Sequence, residues 1–205
     1  MNIVQRATGI LTQPRPEWGR IAEEPATTSS LYTGYAVILA AVPLALQIVV
    51  ALIWAGAGGA LAGIVGGVLS IGLALAVIYV MGLIANALAP NFGGVRNDIG
   101  AQKLMVYAST PLWVMGILTA LLGLIPLLGA VVGILLQLLA FAYAAYLIYL
   151  GAPIVMRVTQ QQAIVYALIL AAIWFVIYLV VAALVGLVVA SLFAAAVMTS
   201  GNPYR

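Results

Sequence analysis

The distribution of charge along this chain is the feature that most restricts how it can fold. Between Glu24 and Arg157 the only charged residues are Arg96, Asp98 and Lys103, so long stretches on either side of them carry no charge. Only 5% of the 205 residues are charged, whereas a soluble domain carries about 25%. So few charges cannot cover a globule in water, and we predict that this chain folds in a lipid bilayer.

The uncharged stretches are long enough for five membrane-spanning helices, since one span needs about 20 apolar residues. Residues 25–95 hold two spans, and the glycines among residues 56–59 provide a tight turn between them. Residues 104–156 hold two more, which turn at 123–126. The last stretch would form a straight helix of about 50 Å, which we interpret as one span that overhangs or bends. The predicted spans are residues 34–55, 60–88, 105–123, 127–150 and 163–198.

The predicted fold class is all-α: a polytopic membrane protein with a five-helix transmembrane bundle at residues 31–200. Residues 1–30 are predicted to form short interfacial helices on the cytoplasmic side, because apolar residues recur there at helical spacing. This pattern places Arg6 on the polar face of the first helix. It makes Trp18 and Ile21 interfacial anchors of the second.

The direction of threading is predicted from the positions of the basic residues. Five spans place the N-terminal segment and the loops at 89–104 and 151–162 on one side of the membrane, together with six of the seven basic residues. The remaining one, Arg205, lies in a tail at 201–205 on the other side. Because cytoplasmic segments carry an excess of Lys and Arg, we predict a cytoplasmic N-terminus and a C-terminus outside.

A polar island at residues 91–113 separates the second and third predicted spans. We identify it as the candidate functional element, because it holds the only charges between the two long uncharged stretches. Its candidate residues are Phe92, Gly93, Gly94, Arg96, Asp98, Gln102, Lys103, Tyr107, Ser109, Thr110, Pro111 and Trp113.

The first half of the island is predicted to form a short capped helix. Asp98 is a residue type that caps helix N-termini, and the helix would run to about Ala108. Arg96 would lie close to Asp98. We predict that the island folds back onto the cytoplasmic ends of spans three and four.

The second half of the island contains a helix-breaking proline. Pro111 lacks an N–H and frees the carbonyl of Tyr107 from its helical hydrogen bond. At membrane depth this carbonyl must find another donor, and Ser109 and Thr110 are the nearest. We therefore predict a kink or a re-started helix at Thr110.

Small residues at helical spacing predict close packing between spans, since they allow two backbones to approach. The partner of such a strip can be a neighbouring span or a second copy of the chain. Gln137 is the one strongly polar side chain deep in span four, and we predict that it hydrogen-bonds to a neighbouring helix. The predicted packing residues are Gly59, Gly63, Gly67, Gly129, Gly133, Gln137 and Gly186.

The composition removes the commonest means of catalysis. The chain has no His and no Cys, which are the commonest general base and the usual thiolate ligand of zinc. A Ser109–Lys103 dyad is conceivable, but Lys103 is also explained as a snorkelling interface residue. We predict no catalytic residue, no cofactor, no metal site and no nucleic-acid partner.

Five short motifs, in order along nearly the whole chain, resemble the bacterial branch of the Yip1 family. They are Pro16-x-Trp18-x-x-Ile21-x-x-Glu24, Phe92-Gly93-Gly94, Tyr107-Ala108-Ser109-Thr110-Pro111-x-Trp113, Leu124-Ile125-Pro126-x-x-Gly129 and Tyr146-x-x-Tyr149-Leu150-Gly151-x-Pro153-x-x-Met156. The resemblance implies a five-span protein of the bacterial inner membrane with a cytoplasmic N-terminus. Eukaryotic members are linked to vesicle traffic and Rab GTPases, a machinery that bacteria lack.

Three functions are consistent with these features of the sequence. The first is a non-enzymatic scaffold or accessory subunit, whose partners are the lipid bilayer and other membrane proteins or a second copy in a homo-oligomer. The second is a channel, transporter or lipid-moving protein with the island as its gate, because broken helices line transporter sites. The third is an intramembrane enzyme. We favour the first, because no span holds a carboxylate for ion coupling.

Overall fold

The computed structural model describes residues 2–200. Within this range it describes only the backbone, and not the side chains, of residues 55, 57–59, 62, 126, 128, 192–193 and 195–200. The predicted tail at 201–205 and the surroundings of Gly59 therefore lie outside the described residues. The helices are α1 (Ile3–Thr12), α2 (Pro14–Glu23), α3 (Thr28–Leu31), a π-helical turn (Tyr32–Ala36), α4 (Val37–Leu88), a 3-10 turn (Ala89–Phe92), α5 (Asp98–Ala108), α6 (Thr110–Leu122), α7 (Pro126–Val155) and α8 (Ala163–Ser200).

Five segments of the described chain are long and apolar enough to cross a membrane, which confirms the predicted all-α bundle. The third segment includes both α5 and α6, so one membrane crossing contains the break at Pro111. The segments are Thr28–Trp54, Gly63–Phe92, Asp98–Leu122, Gly129–Val155 and Ala163–Ser191.

Helix α4 forms the greater part of the first two of these spans, because the chain reverses at Gly56. Gly56 has φ 61° and ψ −157°, a conformation that glycine adopts without the steric penalty of a Cβ. The two halves of α4 then pack side by side. A Cβ built on Gly63 would lie 3.3 Å from Cβ of Ala51, and one built on Gly67 would contact Leu44.

The N-terminal helices pack against the bundle. Helix α1 contacts α2 and α6, and α2 contacts α7. The predicted exposure of three residues is therefore wrong. Arg6 is buried, not on an exposed polar face. Trp18 is fully buried and does not anchor at a surface, and the same holds for Ile21. Trp18 fits because Gly151 of α7 leaves room for it, since a Cβ there would lie 2.7 Å from the indole ring.

The bundle has two ends of different character. We call the end that contains α1, α2, the island and the turn at 156–162 the island end. The opposite end, with the reversal at Gly56 and the turn at 123–125, is the far end. The buried hydrophobic cluster lies mostly at the island end, where Trp18, Leu104 and Tyr166 are among its members.

Candidate functional site

The break in the third span is closed by a threonine. Helix α5 ends at Ala108 and α6 begins at Thr110, so the helix restarts where Pro111 predicted. Thr110 Oγ1 donates a hydrogen bond of 2.7 Å to the carbonyl oxygen of Tyr107. The carbonyl freed by the proline is thus satisfied inside the protein, by one of the two donors that the sequence predicted.

Ser109 stabilises the same break from the other side. Its hydroxyl donates to the carbonyl of Val106 at 2.7 Å and accepts a hydrogen bond from Trp113 Nε1 at 3.0 Å. Both hydrogen-bonding directions of this hydroxyl are therefore occupied.

Aromatic side chains enclose the break. The hydroxyl of Tyr35 lies 2.8 Å from Thr110 Oγ1. Since Thr110 donates its own proton to Tyr107, Tyr35 is the donor in this pair. The rings of Tyr35 and Tyr107 meet edge to face with centroids 4.8 Å apart, and Trp18 approaches Tyr107 at 6.4 Å. Tyr35 lies in the π-helical turn, a feature found often at functional sites.

A buried ionic cluster holds the N-terminal helices at this point. Arg6 Nη1 lies 2.6 Å from Oε1 of Glu17, and its other terminal nitrogen pairs with Glu24. Arg20 contacts the second oxygen of Glu17 at 3.1 Å. The guanidinium carbon of Arg6 lies 5.6 Å from the ring centroid of Tyr107, within the range of a cation–π contact.

Lys103 caps the C-terminus of α2. Its buried Nζ donates to the carbonyls of Ile21 at 2.7 Å, Glu24 at 2.6 Å and Ala22 at 3.4 Å. A cation at a helix C-terminus satisfies free carbonyls and opposes the negative end of the helix dipole. Both earlier interpretations of Lys103 are wrong, because it neither snorkels nor contacts Ser109.

Gln102 joins the first three spans. Its side-chain oxygen accepts a hydrogen bond from the hydroxyl of Tyr32 at 2.8 Å, and its nitrogen donates to the carbonyl of Tyr79 at 3.3 Å. Gly82 makes this possible, because a Cβ there would lie 2.5 Å from the Gln102 amide nitrogen.

The N-terminus of α5 differs from the prediction. Asn97, not Asp98, is the capping residue, and its side-chain oxygen accepts from the N–H of Gly100 at 2.9 Å. Asp98 is the first helical residue and accepts from the side-chain nitrogen of Asn86. Asn86 also accepts from the N–H of Asn97 at 2.7 Å. Within residues 2–200 no ion pair joins Arg96 to Asp98, and both are exposed.

The first residues of the island pair with the turn after α7. The N–H of Val95 donates to Met156 O at 2.9 Å, and the N–H of Thr159 donates to Phe92 O at 3.2 Å. Gly94 permits this approach, since a Cβ would lie 2.8 Å from Met156 O. Gly93 has φ 70°, which glycine tolerates.

The predicted packing glycines have different surroundings. Gly63 and Gly67 face the first half of α4, Gly129 faces the backbone of Leu122, and a Cβ on Gly133 would lie 2.8 Å from Thr119. In contrast, nothing lies within 4 Å of a Cβ on Gly186, so that residue packs against no described part of its own chain.

Gln137 makes no hydrogen bond to another described side chain or backbone group, so the predicted bond to a neighbouring helix is wrong within this chain. It lies instead on the wall of an apolar groove between α6, α7 and α8.

The residues that the sequence missed are two asparagines, one tyrosine and one glycine. Asn86, Asn97, Tyr35 and Gly151 all make contacts that position the island. Only Asn97 carried a usable signal, because Asn is as good a helix cap as Asp.

The model of the Yip1 domain family matches residues 8–184, which include the island, α2 and most of the five spans. No curated protein and no solved structure is similar enough to the chain to match. The match covers far more than half of the chain, and this integral membrane protein therefore belongs to the Yip1 family.

Proposed function

We propose that this protein is a non-enzymatic membrane scaffold or accessory subunit that acts through helix packing. One observation carries the proposal. Among the described residues, the indole N–H of Trp18 is the only fully buried polar side-chain group without a hydrogen-bond partner, and the six buried polar or charged side chains all hydrogen-bond within the chain. These are Arg6, Glu17, Gln102, Lys103, Ser109 and Thr110. A catalytic nucleophile or base needs a reacting atom within hydrogen-bond reach, whereas these groups are engaged in holding helices together.

The island then serves as the site where the N-terminal helices lock onto the bundle. Lys103 binds the end of α2, and Arg6 lies over Tyr107 beside the proline break. These contacts fix the third and fourth spans relative to the N-terminus. A bundle fixed in this way presents a constant outer surface to other membrane proteins, which is what a scaffold requires.

The experiment is purification from the membrane in a mild detergent, followed by mass spectrometry of what co-purifies. We expect a protein partner, or a second copy, at a fixed ratio. The matched control is Glu17→Ala, which removes the buried one of the two carboxylate partners of Arg6 and should release the partner together with the ordered island. Recovery of the chain with only a bound lipid or solute would contradict the scaffold.

The second candidate is a channel, transporter or lipid-moving protein with the island as its gate. It is favoured by an open polar cavity of about 490 Å³ at the island end, lined among others by Glu23, Asn97, Lys103 and Arg157. This cavity shares no lining residue with the apolar groove between α6, α7 and α8. Residues 104–111, between them along the chain, are all buried, which favours the scaffold.

We further propose that the protein lies in a bacterial inner membrane with the N-terminus in the cytoplasm and the C-terminus outside. The support is the asymmetry of the basic residues and the grouping of α2, Lys103 and the turn at 156–162 at one end of the bundle. A reporter fused after Arg205 should be active only if it works outside the cytoplasm. Cytoplasmic activity of that fusion would contradict the orientation.

A further inference from the structure

A groove opens along the side of the bundle between α6, α7 and α8. Its volume is about 550 Å³, and its walls are almost entirely apolar. Ile134, Leu138, Phe141, Phe175 and Leu179 form much of the lining. The polar exceptions are Thr119, Gln137 and Tyr178, and the hydroxyl of Thr119 already donates to Met115 O at 3.0 Å.

Gln137 carries an amide that is not satisfied within the described chain. It lies eight positions after Gly129, the first residue of the fourth span. At 1.5 Å per residue this is about 12 Å inside the span, in a hydrocarbon layer of about 30 Å. A glutamine side chain cannot reach the headgroups from that depth, and a polar group in hydrocarbon is costly unless it is hydrogen-bonded.

We propose that a second copy of this chain docks in the groove and that the two Gln137 amides hydrogen-bond to each other across a two-fold axis. An amide carries both a donor and an acceptor, so it is complementary to itself. A two-fold axis brings the same residue of both copies together. A lipid acyl chain fills an apolar groove equally well but offers no partner for the amide. The inference rests on the proposed scaffold function, for which it names the partner and the contact.

The absence of cysteine from the chain allows a direct test by single-cysteine cross-linking in native membranes. Leu138→Cys and Ile134→Cys place a thiol on the groove beside Gln137, at residues that are 48% and 63% exposed. Leu52→Cys is the matched control, because Leu52 is 52% exposed but lies on α4 and does not line the groove. Under a mild oxidant we expect a disulfide-linked dimer from a groove cysteine and none from the control.

The amide is tested by adding Gln137→Leu to the groove cysteine. A buried hydrogen bond between membrane helices has a modest value, so we expect the dimer fraction to fall about threefold to tenfold. Gln137→Asn keeps an amide and should retain more dimer than the leucine variant. Tyr178→Phe should leave the dimer unchanged, because the hydroxyl is not the partner that we propose.

Each outcome decides the inference. The absence of a dimer from both groove cysteines overturns it, and so does a dimer that Gln137→Leu leaves unchanged. An equal loss with Tyr178→Phe also overturns it, because the hydroxyl of Tyr178, and not the second Gln137 amide, would then be the partner of Gln137. Co-purification of a different protein without any self-cross-link overturns this inference alone and leaves the scaffold proposal standing.

Discussion

The two ends of the bundle are held together by different interactions. At the island end, hydrogen bonds and ion pairs between α1, α2, α5 and α7 surround a dense aromatic cluster. Along α8, the buried residues lie between Ala163 and Trp174, in the half near the island end, and none of the residues from 175 to 191 is buried. At the far end, small residues contact single side chains such as Leu44, Thr119 and Val189.

This difference shows which interactions select one packing arrangement of the helices in a membrane protein. In hydrocarbon there is no hydrophobic force between apolar helices, so apolar side chains alone do not select one arrangement. A buried polar group does, because it must find its partner. The island end has the buried polar groups, and its helices therefore pack in one specific arrangement. At the far end, much of the apolar surface is exposed to lipid or to other proteins.

The largest expected effect is at the ionic cluster. Glu17→Ala leaves Arg6 buried with only the partly exposed Glu24 as its partner, and breaking a buried ion pair costs roughly 3–5 kcal/mol. We expect a marked fall in the melting temperature in detergent. Glu23→Ala is the control, because Glu23 is exposed on the same helix. Equal melting temperatures for both variants would show that the island end is not held by this cluster.

A smaller effect is expected at the proline break. Thr110→Val removes the donor to Tyr107 O and the acceptor for Tyr35, and an unsatisfied buried group costs about 1–3 kcal/mol. Thr110→Ser keeps the hydroxyl and should stay close to the wild type. If Thr110→Val leaves the melting temperature unchanged while Thr110→Ser lowers it, packing of the methyl group and not the hydrogen bond stabilises the break.

At the far end we expect a still smaller effect, which depends on position. Gly63→Leu forces the halves of α4 apart, because Cβ of Ala51 is already 3.3 Å from the added atom. Overpacking costs about 1–3 kcal/mol, and we expect the lower limit because the neighbours border lipid. Gly186→Leu meets open space and should leave the melting curve unchanged. A larger loss at Gly186 would show that this surface is covered by a partner.

The smallest effect is expected at the start of α5. Asn97→Ala removes the cap and a contact to Val155 O, and loss of a cap costs about 1 kcal/mol. Asp98→Asn should be close to neutral, since Asp98 is not the cap. Hydrogen exchange across residues 91–108 measures both variants. Greater loss of protection with Asp98→Asn than with Asn97→Ala would restore Asp98 as the residue that orders the island.

The sequence predicted the features that depend on one residue and its neighbours along the chain. The uncharged stretches predicted five helices, and Pro111 with Thr110 predicted the restart between α5 and α6. The sequence did not predict the contacts between residues that are far apart along the chain. The spacing of α1 placed Arg6 among polar residues, but a partner 11 positions away draws it inside. Lys103 was assigned to the membrane surface because its acceptors lie 79 to 82 positions away.

The choice between Asn97 and Asp98 failed for another reason. Both residue types cap helices equally well, so the chain alone does not distinguish them. Asn86, which lies 11 and 12 positions before them, holds both of them at the start of α5. Likewise, the partner of a glycine strip depends on how the spans are arranged in the bundle. The spacing of the glycines along the chain does not determine this arrangement.

The long separation of these contacts sets an order of assembly during synthesis. Helices α1 and α2 leave the ribosome first, but Lys103 follows Ile21 by 82 positions, and Tyr143, which binds Leu11 O, follows it by 132. Long-range contacts form only after the intervening chain is in place. The first two helices therefore cannot complete their docking, and Trp18 and Arg6 remain uncovered, until the fourth span has been made. Their docking is therefore a late step that requires a completed bundle.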